Sequence, residues 1–77
     1  MSRLFNKIKN MIAEQLDIDP EEITMQTDLI ADLNADSLDA VEVLTQIEEE
    51  FGIEIPDEMT EEFHVVENIV HYVEDNL

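Results

Sequence analysis

Cysteine is absent from the 77 residues of this chain, and glycine and proline are scarce. Without a thiol of its own, the chain can form no disulfide, no thiolate metal site and no cysteine nucleophile. Gly52 is the only glycine, and Pro20 and Pro56 are the only prolines. Because these residues interrupt helices, their scarcity together with clear helical periods predicts an all-α fold. A chain of this length has room for one domain, residues 1–77, with a small core.

Positive charge is almost missing as well. Arg3, Lys7 and Lys9 stand against 21 acidic residues, and the net charge is −18. This charge disfavours nucleic acid and anionic membranes as partners, and it favours basic protein surfaces and divalent cations. A surface that only improves solubility would explain part of it. No apolar run is long enough for a signal peptide or a membrane span, so we expect no membrane insertion and a cytoplasmic location.

Apolar residues recur at helical spacing in four segments. The first segment can be capped by Ser2 and ends near Leu16, and Gly52 is expected to stop the second. With approximate bounds, the predicted helices cover residues 3–16, 37–50, 57–63 and 66–76. The pattern therefore predicts a small four-helix bundle with three longer helices and one short third helix.

A long loop, residues 17–36, is predicted between the first two helices. Asp19-Pro20-Glu21-Glu22 is expected to form one helical turn with Pro20 at its first position. A connection this long in a small domain is often functional. We interpret it as functional, because apolar residues would anchor it to the helices and so fix the position of Ser37; these anchors are Ile18, Ile23, Leu29, Ile30 and Leu33.

Ser37 opens the strongest helical pattern in the chain. Asp36, directly before it, is a natural N-cap, since its carboxylate can accept from free backbone N–H groups of the first turn. The hydroxyl of Ser37 would then lie at the surface, near the positive end of the helix dipole. A serine in this position is a good attachment point for a phosphate.

The second helix has two different apolar faces. One is predicted to be buried and consists of Ala40, Val43, Leu44, Ile47 and Phe51. The other is bordered by acids and has the composition of a docking surface, although a helix buried on a wide face would show the same pattern. This second face comprises Leu38, Val41 and Thr45, with Asp39, Glu42, Glu48, Glu49 and Glu50 along its border.

A calcium loop is one alternative interpretation of this region. Asp32, Asn34 and Asp36 match the first half of such a loop. However, Ser37 stands where the loop needs glycine, and Val43 stands where it needs a bidentate glutamate. We therefore predict no defined metal site, and only looser binding of Mg²⁺ or Ca²⁺ by surface carboxylates remains as an alternative.

Two further alternatives concern Ser37 itself. A serine hydrolase would pair Ser37 with His64 or His71, but the sequence lacks a G-x-S-x-G motif and has no glycine near Ser37. A plain acidic helical interaction module would explain the charge and the apolar strip, but it would leave the position of Ser37 unexplained.

Several stretches of the chain closely resemble the acyl carrier proteins of fatty acid synthesis. They are Asp36-Ser37-Leu38-Asp39, then Val41-Glu42 and Ile47-Glu48-Glu49-Glu50-Phe51, and finally Glu54-Ile55-Pro56-Asp57-Glu58. This resemblance covers essentially the whole chain and implies a four-helix bundle with a short third helix. It also implies that Ser37, flanked by Asp36 and Leu38, carries 4′-phosphopantetheine. A Mg²⁺-dependent phosphopantetheinyl transferase (holo-acyl carrier protein synthase) would donate this arm from coenzyme A.

The same resemblance implies a carrier and not a catalyst, with the acyl group held as a thioester on the thiol of the arm. The implied partners are fatty acid synthesis enzymes and acyltransferases, whose basic patches would bind the acidic second helix of a monomer. Carriers for polyketides, peptides or D-alanine share the Asp-Ser-Leu core and remain alternatives. The acyl chain would be enclosed by Val43, Leu44, Ile47, Phe51, Ile55, Met59 and Ile69.

Three positions depart from the family pattern. Asn34 stands where glycine is usual, and asparagine is among the residues that tolerate a left-handed backbone. Thr45 stands where methionine is common, which leaves the choice of partners open. His64-Val65-Val66 replaces Thr-Thr-Val. The last helix is therefore expected to lack a hydroxyl cap, at a cost of about 1 kcal/mol.

Overall fold

The computed structural model describes residues 3–60 and 63–77, without the side chains of Asp57 and Thr60. Its helices are α1 (Arg3–Leu16), α2 (Ser37–Phe51), α3 (Asp57–Thr60) and α4 (Val66–Asp75), and a 3₁₀ turn (Pro20–Glu22) lies between α1 and α2. These residues contain one isolated β-bridge, between Asp28 and Val65, and no strand. The all-α prediction is confirmed. No helix in these ranges is both long and apolar enough to cross a membrane.

Most helix ends lie at or within one residue of the positions predicted from the sequence. The expected cap at Ser2 lies outside the described residues, as does part of the predicted third helix, 57–63. The turn at Pro20 is confirmed, and Asp19 and Glu22 close it with a reciprocal capping box. Gly52 ends α2 with φ 66°, a left-handed conformation that glycine adopts without strain. Helix α2 is one residue longer than predicted, since it ends at Phe51.

The core lies where α1, α2 and α4 meet. Each helix contributes one apolar stripe, and burial of each aliphatic side chain contributes about 1.5–3 kcal/mol. The buried face of α2 is confirmed at Ala40, Val43, Leu44 and Ile47, whereas Phe51 is only partly buried. The other two helices supply Phe5, Ile8, Ile12, Ala13, Val66, Ile69, Val70 and Val73.

The long loop is anchored to the core by some, but not all, of the predicted residues. Ile23 and Leu29 are buried, and Ile18 and Leu33 are partly buried. The prediction for Ile30 is wrong, because its side chain is 39% exposed. The preceding residue, Leu29, is the one that is fully buried in the core.

The start of α4 has no side-chain cap, as expected, since Val65 precedes it. The loop nevertheless provides other partners for the N–H groups of this helix start. The N–H groups of Val66 and Glu67 donate to the carbonyl oxygens of Thr27 and Met25 at 3.0 and 2.9 Å. Because the loop satisfies donors that a hydroxyl would otherwise satisfy, the helix start is capped by backbone.

Candidate functional site

The start of α2 exposes a serine hydroxyl. Asp36 has an extended backbone, and its carboxylate accepts from the N–H of Asp39 at 2.9 Å, which makes it the N-cap. Ser37 is the first residue of the helix and is exposed. Within residues 3–60 and 63–77, neither its hydroxyl nor the N–H groups of Ser37 and Leu38 have a hydrogen-bond partner. An anion bonded to this hydroxyl would therefore meet free N–H groups and the positive end of the helix dipole.

The chain reaches Ser37 through a turn that its own carboxylates close. One oxygen of Asp28 accepts from the N–H groups of Ile30 and Ala31 at 2.8 and 2.9 Å, and Asp32 accepts from the N–H of Asp28 at 2.8 Å. After this turn, Asn34 takes a left-handed conformation with φ 58°. Asparagine is among the residues that tolerate this conformation, so the turn forms without a glycine.

The residues of the calcium-loop alternative are engaged in this backbone network. The carboxylates of Asp32 and Asp36 each accept from a backbone N–H. Among the residues that the structure describes, no group of three or more His, Asp or Glu side chains is arranged to hold a metal ion. The local role of both acids is to shape the approach to α2.

The two histidines have no hydrogen bond to Ser37. The Nδ1 atom of His64 is 3.1 Å from the second carboxylate oxygen of Asp28, and His71 is exposed on α4. Neither ring is hydrogen-bonded to Ser37. The structure thus does not assemble the triad of the hydrolase alternative.

The carboxylate of Asp28 interacts with two backbone N–H groups of the loop and with the ring of His64. Its pKa is lowered chiefly by the backbone N–H of Ala31, because this donor favours the ionised form. Burial opposes the shift, and the N–H of Ile30 and the ring of His64 lower the pKa further. Asp28 was not singled out from the sequence, because its partner His64 is 36 positions away.

The predicted docking face contains the most exposed large apolar side chains of α2. Leu38 is 65% exposed and Val41 is 40% exposed. Ile30, which was expected inside, is also exposed at the surface. The hydroxyl of Thr45 donates to the carbonyl oxygen of Val41 at 2.9 Å, so its hydrogen bond is formed within α2.

The acids of the docking face differ in their surroundings. Glu42 is exposed and accepts from Gln15 of α1 at 2.9 Å, and Glu49 is exposed beside the groove between α1 and α2. Asp39 and Glu48 are partly buried. Glu48 also accepts from the N–H of Ile55 at 3.0 Å. Sequence periodicity alone could not separate these acids, because that bond joins α2 to a segment without secondary structure.

The residues predicted to enclose an acyl chain share one cluster. Five of them are buried in the core and two, Phe51 and Met59, are partly buried against it. The Phe51 ring packs against this cluster. The ammonium group of Lys7 lies 5.4 Å from the centre of that ring. The five buried members are Val43, Leu44, Ile47, Ile55 and Ile69.

Comparisons with known proteins identify the family of this chain. The family model described as a phosphopantetheine attachment site matches residues 6–73. The acyl carrier proteins of Helicobacter acinonychis (strain Sheeba) and Helicobacter pylori (strain G27) are each 48% identical over 73 residues, which cover 95% of this chain and 94% of theirs. That of Thermosynechococcus vestitus is 43% identical over 72 residues, 94% of this chain and 89% of its own. The chain therefore belongs to the acyl carrier protein family, with 4′-phosphopantetheine as its covalently attached cofactor.

Proposed function

We propose that Ser37 is the attachment residue of this acyl carrier protein, within a single carrier domain that spans residues 1–77. One observation carries the proposal: the hydroxyl of Ser37 is exposed at the first position of α2 and has no partner in the part of the chain that the structure describes. The residues fit the group, because a phosphodiester at this hydroxyl gains the free N–H groups and dipole of the helix start, about 0.3–1 kcal/mol.

Attachment at Ser37 would transfer the arm from coenzyme A. The Oγ atom of Ser37 attacks the β-phosphorus of coenzyme A, so that an O–P bond forms and the pyrophosphate bond breaks. The nucleotide leaves as adenosine 3′,5′-bisphosphate, and a base of the phosphopantetheinyl transferase takes the proton of the hydroxyl. The role of Asp36 is to hold the helix start, and Leu38 offers an exposed apolar surface to the transferase.

The bound arm supplies a thiol that can hold an acyl group as a thioester, which the chain itself cannot do without cysteine. The protein is then a non-catalytic carrier. The acyl chain would be enclosed by the cluster around Leu44 and Ile69, whose members would have to separate to admit it.

The docking face that we propose contains Leu38 and Val41 at its centre and acids at its border. The partners are fatty acid synthesis enzymes and acyltransferases with basic patches, in the cytoplasm, and the carrier acts as a monomer. The net charge of −18 accelerates encounters with such patches, and the small apolar centre allows release. Its predicted members are Asp39, Val41, Glu42, Thr45, Glu48 and Glu49.

The attachment site is tested by intact mass after incubation with coenzyme A, Mg²⁺ and a phosphopantetheinyl transferase. Wild type should gain one arm and Ser37→Ala none. Ser2→Ala is the matched control, because Ser2 is the only other serine, and it should still gain one arm. Circular dichroism should show that Ser37→Ala is folded, since Asp36 keeps the cap. An arm on Ser37→Ala would refute the assignment.

The pathway is tested by the mass of protein purified from its native cell. A fatty acyl thioester on the arm supports fatty acid synthesis. An aminoacyl or polyketide group would assign the carrier to another pathway. A folded wild type that no transferase modifies would instead support the plain acidic interaction module.

A further inference from the structure

The loop that leads to Ser37 is fastened to the segment before α4. The N–H of Leu29 donates to the carbonyl oxygen of His64 at 2.7 Å, the shortest of the backbone bonds between these segments. The bonds from Val66 and Glu67 to the loop lie beside it, and Asp28 and Val65 form the isolated antiparallel bridge. The two segments are therefore joined edge to edge.

One side-chain contact crosses this junction. The Nδ1 atom of His64 lies 3.1 Å from an oxygen of Asp28, and both side chains are partly buried. The other oxygen of Asp28 holds the N–H groups of Ile30 and Ala31. A single carboxylate thus orders the turn before Ser37 with one oxygen and meets the α3–α4 connection with the other.

We propose that His64 and Asp28 form a pH-dependent contact that holds the loop against the start of α4 and thereby positions the helix start that carries Ser37. A neutral imidazole can donate to Asp28 only as its Nδ1–H tautomer. A protonated ring always donates, and the resulting charge-assisted bond is about twice as strong as a neutral one. The contact therefore tightens when the ring is protonated.

The charges around the pair favour this behaviour. Asp32, which accepts from the N–H of Asp28, is a second carboxylate at the same turn, and Glu67 lies on the first turn of α4. The lysines are engaged elsewhere: the ammonium group of Lys7 is 2.8 Å from a carboxylate oxygen of Glu50, and that of Lys9 is 5.4 Å from the centre of the Phe5 ring. His64 is the basic side chain that contacts Asp28 in the part of the chain that the structure describes.

The contact reaches Ser37 through a short series of bonds. From the turn closed by Asp28, the N–H of Ala35 donates to the carbonyl oxygen of Leu29 at 3.0 Å, and Asp36 then caps α2. Loss of the His64 contact would loosen this series at its outer end. The contact itself is a property of the unmodified chain, and only its effect on the arm rests on the proposed attachment at Ser37.

The first test measures amide hydrogen exchange of the unmodified protein at pH 6 and pH 7.5, corrected for intrinsic exchange rates. Protection of the amides of Leu29, Ile30 and Ala31 should be at least about threefold greater at pH 6 in wild type. His64→Asn keeps a donor close to the Nδ1 position but cannot titrate, so it should remove this pH dependence. Asp28→Asn, which keeps acceptors for the turn, should remove it as well.

His71 provides the matched control for this test. It is the only other histidine, it is exposed on α4, and its ring has no hydrogen bond to another described residue. His71→Asn should therefore leave the pH dependence of the three amides unchanged. An unchanged pH dependence in His64→Asn, or an equal loss in His71→Asn, would overturn the proposal.

The second test measures kcat and KM of a phosphopantetheinyl transferase for these variants between pH 6 and 8. Dividing kcat/KM of each variant by kcat/KM of wild type at the same pH cancels the pH profile of the transferase. The ratio of kcat/KM for His64→Asn should change at least about threefold across this range, and that for His71→Asn should stay constant. A constant ratio for His64→Asn would show that the contact does not position the site. An arm on Ser37→Ala would instead refute the proposed attachment residue and leave the exchange result intact.

Discussion

The carboxylate of Glu48 on α2 accepts a hydrogen bond from the backbone N–H of Ile55, at 3.0 Å. This bond joins the segment before α3 to the helix on which we propose the docking face. Ile55 is buried, so its N–H has little access to water when the carboxylate is removed. A partly buried donor without a partner costs about 1–3 kcal/mol.

We therefore expect Glu48→Ala to lower the free energy of unfolding by about 1–3 kcal/mol. Glu49→Ala removes the same charge from the next position, where the side chain is exposed, and should change stability by less than about 0.5 kcal/mol. Urea denaturation at pH 7 measures both. Equal effects of the two variants would show that only charge matters at this end of α2.

The docking face predicts a salt-sensitive loss of binding. Glu49→Lys should weaken the interaction with a basic partner enzyme and slow arm transfer, and added NaCl should reduce the difference from wild type. Val41→Ala should weaken binding with less dependence on salt, because it removes apolar contact only. Glu74→Lys, on the exposed part of α4, is the control with the same charge change. If it were equally harmful, the docking face would not lie on α2.

Asn34 is predicted to contribute through its backbone. At φ 58° an alanine would be strained by about 1–2 kcal/mol, so Asn34→Ala should lower the melting temperature, whereas Asn34→Gly should not. Asn10→Ala is the control, since Asn10 is exposed within α1 and alanine favours helix. Thermal melts that showed no loss for Asn34→Ala would mean that the turn adapts at no cost.

The lowered pKa of Asp28 predicts an acid-dependent loss of stability. An acid whose pKa is depressed in the folded state stabilises the fold above its unfolded pKa, and this contribution is lost as the pH falls through the folded pKa. Wild type should therefore exceed Asp28→Asn most above pH 4, and the two should converge at lower pH. Urea midpoints from pH 5 to pH 2 would measure the difference. Asp75→Asn, on an exposed residue, should show no such convergence.

Charge repulsion across the whole molecule predicts a response to ions. With a net charge of −18 on a small core, NaCl should raise the melting temperature by screening, and millimolar Mg²⁺ or Ca²⁺ should raise it further by binding the folded form. Thermal melts at constant pH with each salt measure the effect. A melting temperature that is flat or falls would show that the acids are already spaced well enough for the charge to cost little.

The features that could be predicted from the sequence are those whose causes lie within a few residues. Helix α2 has its cap, Asp36, and its stop, Gly52, next to the apolar period that defines it. The exposure of Ser37 and Leu38 follows from the same local pattern. Ile30 was misplaced because composition shows that a residue is apolar but not which side of a turn it occupies.

The remaining features depend on partners that are distant in the sequence. His64 and Asp28 are 36 positions apart, and nothing local to either residue shows that they meet. The capping of α4 by the carbonyl oxygens of Met25 and Thr27 uses only backbone atoms, which carry no sequence signal at all. For the same reason, the missing hydroxyl at Val65 gave no indication of these backbone partners.

The position of Lys7 has a consequence for how the molecule turns in an electric field. Its ammonium group lies at the far end of α2 from Ser37, against Glu50 and Phe51, and a helix of this length separates those ends by about 20 Å. All three bases of the chain lie within its first nine residues, so positive charge is confined to α1. The protein therefore has an electric dipole moment as well as a net charge. A cationic surface that approaches across the axis of this dipole exerts a torque on the protein before contact, in addition to the attraction by its net charge.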